Sequence, residues 1–134
     1  VSVTISQSDL ETRFGETNIE RWSDVDNSGS ADTTRITEAL AQGTQRVENA
    51  FRDTMYQIPF QALSGTLYRV KDWMLVYAGS WLYFSRGMND TAIDDRIEAL
   101  EKRAEAEMRK YQNGRERLNA ARSDTMPSAP MIVR

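Results

Sequence analysis

The residues best suited to chemistry are the oxygen-bearing side chains of Asp24-Val-Asp26-Asn-Ser28-Gly29-Ser30-Ala-Asp32. Counted from Asp24, oxygen side chains fall at positions one, three, five and nine, with Gly at six for a sharp turn. This is the front half of an EF-hand calcium loop. The pattern then breaks. Position eight is Ala31, and position twelve is Arg35, where a bidentate Glu should close the site. Glu38 comes too late to replace it. Two readings stay open: a weak calcium or sodium site, or a turn in which Asp and Asn bond their own backbone and cap the next helix. The missing closing carboxylate favours the turn. The chain has no His and no Cys. It therefore lacks the commonest general base, the commonest metal ligand and any thiol nucleophile. No pair of carboxylates is placed for acid–base work, so the expectation is a protein that is not an enzyme and has no cofactor beyond that weak calcium site.

The elements that must carry these residues are helical. The chain has 134 residues, 40% hydrophobic and 28% charged, enough for one domain with a core. Residues 1–5 alternate in a β-prone way and read as an edge strand or a free arm. Ser8 with Glu11 reads as a capping box opening a short helix that Gly15 ends. A second short helix reaches Trp22. Asp32 or Thr33 caps a long helix over residues 33–57, with one stripe of Ile36, Leu40, Gly43, Val47, Ala50, Phe51 and Met55. Ser64 opens a helix over residues 65–84 that is apolar around most of its circumference, which calls for a central position or cover by another subunit and, in a chain this small, for both at once. Asp90 or Thr91 caps the last helix. Its stripe of Ile93, Ile97, Leu100, Ala104, Met108, Tyr111 and Leu118 carries it to about residue 122, projecting past its partners, with Gly114 as its weak point. Glu98 with Lys102 and Glu105 with Arg109 are spaced for ion pairs along it. The expected fold is all-α: a small bundle of about four helices with a long C-terminal helix and extended terminal arms. Its parts are an arm over 1–7, a helical domain over 8–122 and an extended tail over 123–134.

Charge and apolar content limit the partners. The net charge of −3 does not suit nucleic-acid binding by charge alone. Acids crowd residues 1–32 and bases crowd 109–134, so the two regions can pair within a chain or between copies. No apolar run reaches the roughly 20 residues of a membrane span. The absence of cysteine favours a reducing compartment.

Several segments in order resemble a known family. They are Ser8-Asp-Leu-Glu-Thr-Arg-Phe-Gly15, the Asp-rich loop 24–32, the helix ending Phe51-Arg-Asp-Thr-Met-Tyr-Gln-Ile-Pro59, a Trp- and Tyr-bearing apolar helix, and a charged terminal helix. Together they resemble the phage and prophage head–tail connector (adaptor) proteins, including the small Mu-like prophage type. In that family "Leu-x-x-Arg-Phe-Gly", an Asp-x-Asp-x-x-Gly loop and "Tyr-x-Leu-Pro" stand in this order; here the last is Tyr56-Gln57-Ile58-Pro59. The likeness covers about residues 8–118, and the loop departs from it at Ala31 and Arg35.

The resemblance implies a structural virion protein of the head–tail neck, made in the host cytoplasm. It implies a homo-oligomeric ring of twelve copies beneath the portal protein. The ring extends the DNA channel, through which DNA passes without sequence-specific binding, and offers a platform to a neck or tail-completion protein; no membrane is involved. Residues that fit this role are Trp81, Tyr83 and Tyr77 at a subunit interface, with Trp73 in the core. Met126, Pro127, Pro130, Met131, Ile132, Val133 and Arg134 of the tail, with Arg115 and Arg122, fit contacts to portal or neck. The loop residues Asp24, Asp26, Ser28, Ser30 and Asp32 carry the alternative function, an EF-hand-like calcium-binding interaction module.

Overall fold

The computed structural model describes residues 2–122. Among them are five helices: α1 (Gln7–Phe14), α2 (Glu16–Ser23), α3 (Thr33–Ala50), α4 (Tyr68–Ser85) and α5 (Thr91–Gln112). The fold is all-α, as expected.

Local signals explain most of the boundaries. The α1 capping box is built by Ser6 and Asp9, not by Ser8 and Glu11. Ser6 is extended and accepts from Asp9 N–H, while Asp9 accepts from Ser6 N–H. Either Ser could serve on spacing; the earlier one wins because Leu10 must then face inward, where it is fully buried. Gly15, at φ +97°, ends α1 and starts α2, a corner that few L-residues tolerate. Asp32 caps α3 through Thr34 and Arg35 N–H, and Asp90 caps α5 through Ala92 and Ile93 N–H.

Three expected helix limits are corrected. Helix α3 stops at Ala50 rather than 57, because Phe51 N–H already bonds back to Glu48 and Thr54 turns onto Phe51 C=O. Helix α4 starts at Tyr68 rather than 65, with Leu67 as its N-cap and no side-chain cap; Ser64 instead accepts from the Asn119 amide. Helix α5 ends at Gln112 and does not project. Gly114 takes φ +78°, and residues 118–122 fold back beside residues 56–63.

That return makes a small extended patch. Gln57 N–H donates to Ala121 C=O, Ala121 N–H to Gln61 C=O and Leu63 N–H to Asn119 C=O. On the other side the arm pairs through Ser2 with Gln61, and Val3 N–H donates to Phe60 C=O. Its alternation turns Val3 and Ile5 toward the core.

Helix α4 runs through the middle. Its first half packs with Val47, Phe51, Tyr56, Phe60, Met108 and Tyr111; its second half packs with Leu10, Ile19, Trp22, Ile36 and Ile97. Helix α3 lies closest, because Gly43 has no side chain: a Cβ there would stand 2.2 Å from Met74 C=O. Gly79 likewise admits the ring of Phe14.

Candidate functional site

The Asp-rich loop is built as a turn. One Asp24 carboxylate oxygen accepts from Ser28 N–H at 2.8 Å and Ser28 Oγ at 3.2 Å; the other accepts from Gly29 N–H at 2.8 Å. These bonds, Gly29 first, hold the Asp24 carboxyl below the usual carboxylate range. Asn27 and Gly29 take positive φ values of 55° and 84° to bring the amides round. Asp32 spends its side chain on capping α3. Arg35, at the position that should close the site, reaches away to Ser85 Oγ at 2.8 Å. Arg86 pins the loop through Asp24 C=O and Asn27 Oδ1. Among the described residues no group of three or more Asp or Glu side chains is arranged to hold a metal ion. Asp24 and Asp32 thus bond their own backbone in the way the turn reading expects.

The aromatic residues expected at an interface divide. Tyr83 is fully buried, and its hydroxyl donates to Asp94 while accepting from Asp90 N–H. Burial and the bond to Asp94 push its pKa up. It cannot offer area to a neighbour, which corrects that expectation: Trp22 packs edge-on against it from α2. Tyr77 is buried too, at 5% exposure, though its face meets an open trough. Trp73 is core, stacked on Phe51 and donating to Glu107. Trp81 remains half-buried.

The trough is an open surface hollow along one face of α4. Helices α3 and α5 form its walls and α4 its floor, where Tyr77, Ser80, Trp81 and Phe84 lie. Arg46 spans it, 5.0 Å above the Tyr77 ring and 3.9 Å from the Glu105 carboxylate. Arg35 lies 5.4 Å over Trp81. Phe84 is 41% exposed. Sequence reasoning passed over Phe84 and Arg46, although Phe84 stands three residues after Trp81 and seven after Tyr77, the spacing of one helix face.

The expected ion pairs within α5 give way to pairs between helices. Glu105 meets Arg46 of α3, and Glu107 meets Arg69 of α4 at 3.2 Å. The acids of the front pair with α4 as well: Asp9 with Lys71, beside Arg13 with Asp72 at 2.7 Å. Among the described residues no ion pair joins the acidic front to the basic end. Arg115 and Arg122 are exposed and make none there. The tail residues Met126, Pro127, Pro130, Met131, Ile132, Val133 and Arg134 lie outside the described residues.

The described residues form a small five-helix bundle with an open trough along α4. The particular family is given by comparison: residues 5–133 match the family model described as Bacteriophage Mu, Gp36, and the chain belongs to that family. It is thus a Mu-like phage protein of the structural or morphogenetic kind. No curated protein matches it. No helix among the described residues is long and apolar enough to cross a membrane.

Proposed function

We propose that the chain is a head–tail adaptor: copies assemble as a twelvefold ring beneath the portal, extend the DNA channel, and give the next neck protein a place to dock. The observation that carries this reading is the family match over almost the whole chain. The surface supports it in a specific way. The exposed aromatic residues of α4 sit on opposite faces: Phe84 with half-buried Trp81 in the trough, and Tyr68, 75% exposed, beside α1. At 100° per residue, positions 68 and 77 are half a turn apart. Two different aromatic-bearing surfaces on opposite sides, the Tyr68 one ringed by Asp9, Arg13, Lys71 and Asp72, suit a heterologous contact, the kind that closes rings. An acidic protein also suits a channel that DNA must slide through, since it neutralises few phosphates.

The test is assembly. Light scattering after size exclusion, alone and with portal, should show a ring or a portal-dependent complex. Trp81→Ser with Phe84→Ser should abolish it while leaving the melting temperature within a few degrees, because these side chains are only partly buried. A chain that stays monomeric beside its portal and is absent from purified particles would end the adaptor reading.

A further inference from the structure

The trough over α4 has an apolar floor and a charged rim. Tyr77, Trp81 and Phe84 repeat along one face of the helix. At 1.5 Å per residue the first and last stand about 10.5 Å apart along its axis. Phe84 is 41% exposed and Trp81 half-buried, so the described residues leave this strip open. On the rim Arg46 and Arg109 face Glu101 and Glu105, and the charges cancel. A strongly charged occupant would leave its own charge unpaired there, whereas an uncharged apolar segment would not.

The chain carries such a segment. Within residues 123–134, the stretch Thr125-Met-Pro-Ser-Ala-Pro-Met-Ile-Val133 has no charged side chain. Pro127 and Pro130 stand three apart. Three residues make one turn of a polyproline II helix, so both rings fall on one side, about 9 Å apart. That step is close to the length of the aromatic strip. Proline-rich segments bind aromatic-lined grooves for two reasons: their extended form needs little further ordering, and proline has no N–H that must find a partner. Met131, Ile132 and Val133 prolong the apolar surface beyond the prolines. The last described residue, Arg122, is bridged to Tyr56 at the surface of the bundle. The twelve residues after it can span up to about 40 Å, enough to cross to a second molecule and follow its trough.

We propose that the trough of each copy receives residues 126–133 of a neighbouring copy, with Pro127 and Pro130 against Tyr77, Trp81 and Phe84. This rests on the reading that copies assemble, and it names the contact that joins them. Groove and tail are different surfaces, so each copy gives one tail and takes one. That is a heterologous contact, able to propagate around a ring.

The chain has no cysteine, so introduced ones report the contact without background. Full-length Gln42→Cys, exposed on the trough wall, is mixed with full-length Met131→Cys and oxidised gently, alone and with portal. The 42–131 disulfide between chains should form about tenfold faster than 42–42 or 131–131, because docking raises the local concentration of that pair. Phe84→Ser in the Gln42→Cys chain should remove the advantage. Val25→Ser, at a similarly exposed apolar position outside the trough, should preserve it. Three disulfides in random proportions under both conditions overturn the proposal, and so does a preference that survives Phe84→Ser. The two readings fail separately. Random cross-links in a chain that still forms rings with portal remove this contact and leave the adaptor. Preferred 42–131 cross-links in a chain absent from particles keep the contact and remove the adaptor.

Discussion

Asp24 shows how a motif and its geometry part company at the scale of one residue. Its spacing to Asp26, Ser28 and Asp32 suits a cation, yet its two oxygens are occupied by amides and a hydroxyl of its own loop. The physical consequence is a pH dependence. Because the folded carboxyl titrates below its usual value of 3.8, its contribution to stability is complete above that value and is lost as pH falls through the lowered one. Asp24→Asn should therefore melt lower than the parent at neutral pH, and the gap should close in strong acid. Thermal melts across that range check it. The effect should be small, since the loop is solvated. Calcium should leave both curves unchanged; a rise confined to the parent chain would restore the cation reading. The sequence displayed this residue's turn chemistry plainly, because Asp-to-backbone bonds are local. It could not display the trough over Tyr77, whose lining comes from three helices.

Among the elements, α4 decides the architecture. Its apolar circumference announced a central helix, and it is one: eleven of its residues are buried. What the pattern could not reveal was who covers it. We expected subunits to share the task, but α3, α5 and the short α1–α2 pair already enclose Trp73, Tyr77 and Tyr83. The reason lies in glycines. Gly43 and Gly79 let a backbone and an aromatic ring approach far closer than any side chain allows, so one small bundle hides more than its length suggests. Gly43→Ala should cost about 3 kcal/mol or more, because its Cβ would collide with backbone that cannot swing aside. Gly87→Ala is the contrast. It meets open space and pays only for its φ of +83°, about 1 kcal/mol. Urea denaturation of the two variants separates the roles; equal midpoints would mean that α3 and α4 do not depend on that close approach.

For the whole molecule, the revealing feature is where the last helix stops. Periodicity carried the stripe to Leu118, and extending α5 to 122 followed naturally. Leu118 does pack against the core, but from a returning strand-like segment after Gly114 has turned the chain. A stripe records which residues are apolar, not the path that brings them inward. This return ties together parts distant in sequence: Tyr56 Oη accepts from Leu118 N–H, and Ala120 is buried beside residues 56–62. Two truncations should therefore behave differently. Removing residues 123–134 should leave the melting temperature nearly unchanged, because residues 119–122 carry the bonds that close the fold among the described residues. Removing residues 119–134 should destabilise by about 3 kcal/mol, one for each of three lost backbone bonds. If the adaptor reading holds, the shorter truncation should fold and still fail to enter particles, which divides folding from docking at Arg122. Equal losses of stability in both would mean that the return segment does not close the bundle, and the boundary between domain and tail would have to be moved.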